Sequence, residues 1–499
     1  MNFYTKIKNL TDNQKRMLIA EKPNAKYNLF YQAHPELKNE VFFKPDNDGF
    51  IIPTGLLEIL NLWQKPETPQ DFKDSYTQKI EKLKPFDLYD FQYNALYDAL
   101  YNERLMIKAA TGSGKSLVIA LLVKILVDKG LKGLILVPNI SLVKQFDSDL
   151  KSYNLYLNPL LVGGNEKGFK NIDKPHFCGN INSSKLGIDN TTKVVNSNNA
   201  DISNIENTSN LIISTWQSLK NNIQVCKTLD FLIIDEAHSA KAEEIYKIAK
   251  SCINARKIIG LTGTIPQNAY DFLKVSSVFG LPRNYVSPRT LIDRGLGTNI
   301  KVNLINIRYE NFAVPYDYNE ALNFIIKNPL RNNLIVNLAK RLNGNTVILV
   351  SRNEMAFRLF KMLMPCKTDE KSYKDLNLQM LHNIFFINGS IPGETREIIR
   401  NRLENIDKGI LISNYSIMGT GVNIKNLHNL IFASPLKSYI TITQSLGRLI
   451  RTHDSKTEVN VYDLADFGGV FTKQKKKRIE ECYKPQDYKI AESSIDFRK

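Results

Sequence analysis

Residues 105–127 read LMIKAATGSGKSLVIALLVKILV and indicate the class of the fold. A short apolar run, Leu105–Ala109, leads into a glycine-rich loop and then into a second apolar run, Leu117–Val127. A strand followed by such a loop, with Lys-Ser at the start of a helix, is typical of phosphate-binding loops, because glycines let backbone N–H groups approach phosphate oxygens. The alternative is a glycine-rich turn between core elements. The stretch predicts a nucleotide-binding α/β domain.

Within this loop, Lys115 is expected to reach the β- and γ-phosphates of a nucleotide, and the Ser116 hydroxyl is expected to ligate Mg²⁺. Ala109 stands where the strict pattern has its first glycine. The predicted phosphate-binding residues are Ala109, Thr111, Gly112, Ser113, Gly114, Lys115 and Ser116.

Similar apolar runs recur along the chain, and each is followed by a helix-like stretch. The first series continues at 133–137, 211–215, 231–235 and 257–261, and a second series lies at 346–350, 384–388, 409–413, 429–433 and 459–463. Near-continuous apolar strands that alternate with helices indicate a parallel sheet covered on both faces. We therefore expect an α/β chain with two tandem parallel-sheet domains, joined by a linker at 281–315 and preceded by a small α+β domain.

The expected domains are a nucleic-acid-binding accessory domain at 1–84, a first α/β domain at 85–300 with an insertion at 163–210, a second α/β domain at 301–470, and a basic C-terminal tail at 471–499.

Composition narrows the class of protein. The chain has 499 residues, 43% of them hydrophobic, which argues against a disordered or fibrous protein. Its 67 Lys and Arg against 50 Asp and Glu leave a net charge of +17, which favours a nucleic-acid partner. The five cysteines are scattered without a Cys-x-x-Cys pair, so neither a disulfide framework nor a zinc site is expected. We expect no signal peptide, no membrane span and a location inside the cell.

The string Asp235-Glu236-Ala237-His238 follows the apolar run Phe231–Ile234. Phosphoryl transfer to water needs a carboxylate that positions a metal and a group that orients the attacking water. Asp235 fits the first role and Glu236 the second, as general base. The alternative is an ordinary acidic first turn of a helix.

Two further stretches carry candidate residues. Thr262 and Thr264 follow the next apolar run, which puts their hydroxyls at the same sheet edge as the acids. Arg448 and Arg451 are three residues apart, so on a helix both guanidinium groups share one face. An arginine supplied to a γ-phosphate is typically worth ~10³–10⁵ in rate. The alternative for this pair is a solvated helix face.

The stretches that carry these candidate residues resemble, in their order along the chain, the motifs of superfamily 2 helicases and translocases. Residues 109–116 are similar to motif I, 235–238 to a DEAH-type motif II, 262–264 to motif III and 444–451 to motif VI. The resemblance implies RecA-like domains, ATP and Mg²⁺ as cofactors, and ATP-dependent helicase activity. It also implies that His238, Thr262, Thr264 and Gln444 couple the ATP site to motif VI.

The resemblance extends to the remaining motifs. Leu88–Gln92 resembles the segment in which a glutamine reads adenine, which implies that role for Gln92. Residues 136–139 and 214–219 resemble motifs Ia and Ib, and 419–424 resembles motif V, with Asn423 where many relatives have Asp. The implied nucleic-acid contacts are Pro138, Asn139, Thr215, Trp216, Gln217 and Thr420, and the further implied ATP contacts are Gly421 and Asn423.

Within the superfamily, residues 423–429, 444–451 and 453–457 resemble the phage UvsW-type recombination helicases. This resemblance implies an ATP-dependent DNA helicase that unwinds and remodels branched DNA, by fork regression and Holliday-junction branch migration, in replication, recombination and repair. Its implied partners are forked or branched DNA and single-strand-binding or recombination proteins, with no membrane. A monomer in the cytoplasm, of the host cell for a phage-encoded chain, is expected.

Three alternatives stay open. An RNA helicase fits the same motifs, because contacts with a nucleic-acid backbone carry no base identity. The motor subunit of a restriction or nuclease assembly fits as well, with the nuclease on a partner chain. A non-enzymatic clamp would not need Lys115, Asp235, Glu236, Arg448 and Arg451 together.

Overall fold

The computed structural model describes residues 3–22, 38–163, 194–195, 210–238, 242–309, 314–315, 317–365, 375–415, 424–436 and 438–497. Apart from Gly163, Val194–Val195 and Asn210, the expected insertion at 163–210 lies outside these residues. The chain divides into two compact units, one of residues 1–109 and 113–286 and one of residues 110–112 and 287–499. No helix of the described residues is long and apolar enough to cross a membrane.

The N-terminal part of the first unit is a small α+β region, as predicted. Its elements are strands β1 (Tyr4–Ile7), β2 (Ile19–Glu21), β3 (Asn39–Val41), β4 (Lys44–Asp46) and β5 (Gly49–Pro53), helices α1 (Asp12–Met17) and α2 (Gln70–Leu83), and a 3₁₀ turn at Thr54–Leu56. Strands β1, β5 and β4 form one antiparallel sheet, and β2 pairs with β3 in another.

The rest of the first unit is built on one parallel sheet of eight strands in the order β13-β6-β12-β11-β7-β10-β8-β9. These strands are β6 (Arg104–Ala109), β7 (Gly133–Val137), β8 (Leu160–Val162), β9 (Val194–Val195), β10 (Leu211–Thr215), β11 (Phe231–Ile234), β12 (Lys257–Thr262) and β13 (Pro282–Val286). The helices are α3 (Asp90–Tyr101), α4 (Lys115–Val127), α5 (Ile140–Ser152), α6 (Trp216–Leu219), α7 (Ala242–Ser251) and α8 (Ala269–Phe279), with a 3₁₀ helix at Lys220–Thr228.

The N-terminal region packs on helix α8. Leu273 of this helix shares one apolar cluster with Leu18, Phe42 and Ile52. Gly55 lies so close to α8 that a Cβ on it would stand 2.2 Å from the Ser276 carbonyl oxygen. The N-terminal region therefore belongs to the core of the first unit.

The second unit holds a parallel sheet of seven strands in the order β16-β17-β15-β18-β19-β14-β20. These are β14 (Asn299–Tyr309), β15 (Thr346–Val350), β16 (Ile384–Ile387), β17 (Ile410–Asn414), β18 (Asn429–Phe432), β19 (Glu458–Asp466) and β20 (Lys489–Phe497). The helices are α9 (Pro288–Asp293), α10 (Tyr318–Lys327), α11 (Pro329–Arg341), α12 (Asn353–Leu363), α13 (Leu376–His382), α14 (Gly393–Glu404), α15 (Tyr439–Leu449) and α16 (Gly469–Arg478), followed by a π-helical turn at Ile479–Tyr483 and a 3₁₀ turn at Lys484–Gln486. Two tandem parallel sheets confirm the predicted fold class.

The expectations of a linker at 281–315 and of a tail at 471–499 are both wrong. The segment 281–315, expected as a linker, contains β13, α9 and the eleven-residue strand β14. The segment 471–499, expected as a basic tail, ends in β20, which pairs with β14 along nine residues. Arg478 of its basic run is buried, with Nε and Nη2 each 2.8 Å from the Asp463 carboxylate. This guanidinium is unavailable to a phosphate because it stabilises the interior of the second unit.

Candidate active site

The candidate residues of the first unit follow strands that are neighbours in its sheet. Strand β12 lies between β6 and β11, and Thr262 is in register with Lys108 while Gly260 is in register with Ile234. The phosphate loop, Asp235 and Thr262 therefore meet at one edge of the sheet, because parallel strands end on the same side. Strands β7 and β10, which carry the segments similar to motifs Ia and Ib, end on that edge as well.

The loop between β6 and α4 has the backbone of a phosphate cradle. Gly112 and Gly114 have φ values of 87° and 80°, in the left-handed region that favours glycine. Lys115 opens helix α4, and its Nζ donates to the Ala109 carbonyl oxygen at 3.2 Å. The ammonium group thus reaches back over the loop, where a bound anion would lie against the helix N-terminus.

Gln92 is buried against this loop. Its Nε2 donates to the Ser113 carbonyl oxygen at 2.9 Å, and its Oε1 accepts from the Tyr89 backbone N–H at 2.9 Å. A Cβ at Gly114 would stand 2.3 Å from the Gln92 Nε2. The side chain therefore ties the start of helix α3 to the phosphate loop, and its contact with adenine stays a prediction.

Asp235 and Glu236 leave strand β11 in an unusual backbone geometry. Asp235 is buried, and its backbone N–H donates to the Leu136 carbonyl oxygen at 2.9 Å. Glu236 has φ of 48°, which non-glycine residues rarely adopt, and its N–H donates to Asp235 Oδ1 at 2.9 Å. Burial and the neighbouring Glu236 charge raise the pKa of Asp235 to about 7, against the opposing charge of Lys115. Asp235 is thus a desolvated carboxylate that a cation would stabilise.

His238 joins the acids to the threonines. Its Nδ1 lies 3.4 Å from Glu236 Oε2 and in hydrogen-bond contact with Thr262 Oγ1. The Thr262 hydroxyl donates its own proton to the Thr264 carbonyl oxygen at 2.7 Å, so it accepts from the imidazole. Burial lowers the pKa of His238. We therefore assign a neutral imidazole that carries its proton on Nδ1.

The segments similar to motifs Ia and Ib divide into accessible and buried residues. Pro138 and Asn139 are half-buried, and the Asn139 side chain caps helix α5 by accepting from the Leu142 N–H at 3.0 Å. Gln217 is exposed.

The contact expected for Trp216 is wrong, because its ring is buried in the core of the first unit at 6% exposure. Thr215 is also buried, and its hydroxyl caps helix α6. Thr420, Gly421 and Asn423 lie outside the described residues.

In the second unit, Gln444 and Arg448 lie on helix α15, whereas Arg451 lies beyond its end. The expectation that both arginines share one helix face is wrong, because the helix ends at Leu449. Two residues that sequence reasoning missed hold this end. Thr298 donates from its backbone N–H to the Ile450 carbonyl oxygen at 2.7 Å and from its hydroxyl to that of Arg451 at 3.3 Å.

Lys456 completes this arrangement, since its Nζ donates to the Leu449 carbonyl oxygen at 3.1 Å. No local sequence pattern signals either Thr298 or Lys456, because both act through tertiary contacts.

Known families match both sheet domains. Residues 85–267 match the family "Type III restriction enzyme, res subunit", and residues 330–453 match the family "Helicase conserved C-terminal domain". The ATP-dependent DNA helicase uvsW of Enterobacteria phage T4 is 27% identical over 435 residues, which cover 84% of this chain and 78% of that protein. The chain is similar to superfamily 2 helicases across both sheet domains. The resemblance to UvsW-type helicases and the assignment as an ATP-dependent enzyme are thereby confirmed.

Solved structures share the fold of this helicase. The ATP-dependent Type ISP restriction-modification enzyme LlaBIII bound to DNA is 16% identical, with a TM-score of 0.56, and the match covers 83% of this chain and 32% of that one. A fragment of a putative HsdR subunit of a type I restriction enzyme from Vibrio vulnificus YJ016 is 16% identical, with a TM-score of 0.56, and the match covers 85% and 72% of the two chains. At these identities the matches describe architecture alone.

Proposed function

We propose that this helicase uses ATP hydrolysis to unwind and remodel branched DNA, by fork regression and branch migration, during replication, recombination and repair. The observation that carries the proposal is the similarity to a DNA helicase, uvsW, over 84% of the chain. The net charge of +17 supports a polyanionic partner. Forked or four-way DNA is the proposed substrate, with single-strand-binding or recombination proteins as candidate partners and the cytoplasm as the proposed location.

The proposed ATP site lies at the loop between β6 and α4. Lys115 binds the β- and γ-phosphates, and the backbone N–H groups of 110–116 surround their oxygens. The oxygen donors of Ser116 and Asp235 fit Mg²⁺, which prefers hard oxygen ligands and keeps several waters or phosphate oxygens. The buried Asp235 carboxylate, whose pKa is raised by burial, supports this fit because a cation bound beside it would stabilise its ionised form. Bound there, Mg²⁺ supplies charge neutralisation at the phosphates.

The proposed hydrolytic step belongs to Glu236. Its carboxylate orients a water for attack on the γ-phosphorus and accepts the proton that this water loses. The neutral His238 donates its Nδ1 proton to Thr262 on the next strand, and the same nitrogen lies 3.4 Å from Glu236 Oε2. A displacement of Glu236 at the γ-phosphate is proposed to pass through His238 to Thr262 and Thr264.

Arg448 and Arg451 are the proposed arginines that stabilise charge developing on the γ-phosphate in the transition state. The bonds from Thr298 and Lys456 hold the backbone carbonyl groups of residues 449–451. Gln444, one turn before Arg448, is proposed to couple this motif to His238. ATP turnover then drives stepping along a strand held at Pro138, Asn139 and Gln217.

ATPase assays with matched nucleic acids test the proposal. Turnover is measured with single-stranded, duplex, forked and four-way DNA and with the corresponding RNA forms, and Lys115→Ala is the inactive control. We expect forked and four-way DNA to stimulate most and RNA least. Equal or stronger stimulation by RNA would favour an RNA helicase and contradict the proposal.

A second candidate function is the motor of a restriction assembly. The match of residues 85–267 to the restriction-enzyme family favours it specifically. Such a motor translocates on linear duplex DNA and has no need of a junction. Stimulation by duplex DNA that rises with duplex length, without any excess for forks, would support this second candidate.

A further inference from the structure

A buried lysine joins the N-terminal region to the two helices that follow the candidate catalytic residues. Lys274 lies on helix α8 at 3% exposure. Its Nζ is 2.5 Å from Glu40 Oε1 of strand β3 and 2.8 Å from Glu243 Oε2 in the first turn of α7. One ammonium group is therefore shared by two carboxylates on two other elements.

Three aromatic rings complete the surroundings of this ammonium group. The Lys274 Nζ lies 4.4 Å from the ring centroid of Tyr246, 5.5 Å from that of Phe42 and 5.6 Å from that of Tyr270. Rings at these distances attract a cation through their quadrupoles. The Tyr270 hydroxyl also donates to Glu243 Oε2 at 3.3 Å. We name the set Lys274, Glu40, Phe42, Glu243, Tyr246 and Tyr270 the Lys274 cluster.

Lys274 favours the ionised form of Glu243. Although partial burial opposes ionisation, the hydrogen bond from Lys274 lowers the pKa of Glu243 below its usual range. A buried ammonium group that loses one carboxylate keeps its desolvation cost with less compensation. The side-chain carboxylate of Glu40, from the N-terminal region, therefore helps to hold Lys274 against Glu243.

The cluster lies on the same two chain segments as the catalytic contacts. Helix α7 begins at Ala242, just after His238, and helix α8 begins at Ala269, just after Thr264. The contact of His238 with Thr262 joins these segments at the site, and Lys274 with Glu243 joins them again along the helices. These two side-chain contacts add to the pairing of β11 with β12 and to the hydrogen bond from the Ala237 N–H to the Leu261 carbonyl oxygen at 3.0 Å, which join the same segments.

We propose that Lys274 is a positioning residue for ATP hydrolysis, through which strand β3 of the N-terminal region holds His238 and Thr262 at their working separation. The inference rests on the proposed roles of Glu236 and His238. The N-terminal region then contributes to the rate of turnover in addition to stability.

The test is the steady-state ATPase activity of the full chain carrying Glu40→Gln, which neutralises the N-terminal carboxylate and keeps its shape. Its matched control is Glu21→Gln on the neighbouring strand β2, where the carboxylate pairs with Lys38 at 3.2 Å outside the cluster. We expect kcat of Glu40→Gln to fall roughly threefold to tenfold, with KM for ATP within about twofold of the wild-type value. Glu21→Gln should keep the wild-type kcat, and Lys274→Arg should retain more activity than Lys274→Met.

If the Lys274 cluster only stabilised the fold, Glu40→Gln would lower kcat only by unfolding part of the protein. Folding is therefore followed in the same samples. Tryptophan fluorescence reports on the first unit, because both tryptophans, Trp63 and Trp216, lie in it. Combining Glu40→Gln with Thr262→Val should lower kcat by less than the product of the single effects, since both changes disturb one spacing.

An unchanged kcat in folded Glu40→Gln, an equal loss in Glu21→Gln, or a fully multiplicative double variant would each overturn the inference. Turnover by Glu236→Gln would instead overturn the proposed site itself. The two failures are therefore distinguishable.

Discussion

His238 donates its Nδ1 proton to the hydroxyl of Thr262, so the strand that ends in the paired acids is tied to its neighbour in the sheet. This bond depends on the Thr262 proton being committed to the Thr264 carbonyl oxygen. A single hydroxyl therefore sets both the tautomer of the imidazole and the position of the following loop.

Thr262→Val removes this hydroxyl while keeping the shape of the side chain. Loss of one hydrogen bond costs about 0.5–1.5 kcal/mol, so kcat for ATP should fall by up to roughly tenfold, with little change in KM. Steady-state ATPase assays check this, with Thr262→Ser as the variant that keeps the hydroxyl. Wild-type kcat in Thr262→Val would show that His238 is positioned without Thr262.

Arg451→Ala should lower turnover while leaving ATP binding nearly intact. An interaction made in the transition state and absent from the ground state changes kcat with little effect on affinity, and loss of such an arginine typically costs ~10³–10⁵ in rate. Single-turnover hydrolysis and equilibrium binding of a fluorescent ATP analogue separate the two effects. Weakened binding with normal turnover at saturation would contradict the assigned role.

Asp235→Asn should stabilise the ligand-free protein above neutral pH. The folded-state pKa of Asp235 is about 7, above its ordinary value of 3.8, so between these values the folded chain binds a proton that the unfolded chain does not. Wild-type stability is therefore reduced by Asp235 at pH 8 and recovers as the pH falls through 7 toward 4.

Thermal unfolding with EDTA, followed by tryptophan fluorescence, measures this difference. Asp235→Asn should have the higher Tm at pH 8, and the gain should shrink steadily below pH 7. Asp128→Asn, whose carboxylate pairs with Lys124 at the protein surface, is the control and should not raise Tm at pH 8. A gain that does not vary between pH 5 and 8 would mean that burial does not raise the pKa of Asp235.

Gly55→Ala should destabilise the first unit. The added Cβ would stand 2.2 Å from the Ser276 carbonyl oxygen and 2.6 Å from that of Ser277, both backbone atoms of helix α8. Overpacking of this kind costs about 1–3 kcal/mol. Denaturant unfolding of the first unit checks this, with Gly393→Ala, which meets open space, as control. Equal stability of the two variants would mean that the N-terminal region is packed loosely on α8.

The parallel sheets could be predicted from the sequence because their strands are short and apolar on both faces. The runs at 133–137, 211–215 and 346–350 coincide with strands β7, β10 and β15. Strands β14 and β20 escaped prediction because polar residues alternate with the apolar ones, as in Asn299–Tyr309. Strand β20 lies at the edge of its sheet, where one side stays open to solvent.

The residues of the candidate site could be predicted where residue type and order along the chain indicate their chemistry. They could not be predicted where packing determines whether a side chain is buried or where it lies. Lys115 and Asp235 follow strands β6 and β11, and Thr262 ends strand β12 between them, so they share one sheet edge as the sequence predicts. Trp216 is buried because the helix it begins turns its ring into the core, which no spacing rule reveals. The position of Arg451 depends on Thr298, a residue distant in sequence.

The most direct test of the central claim is ATP-driven remodelling of a labelled replication-fork substrate, scored by separation of its strands on a native gel. The wild-type chain should convert forked and four-way DNA in the presence of ATP and Mg²⁺ and leave a linear duplex of equal length intact. Glu236→Gln should bind the same DNA and convert none of it. Conversion of linear duplex and fork at equal rates, or of neither while ATP is hydrolysed, would contradict the account.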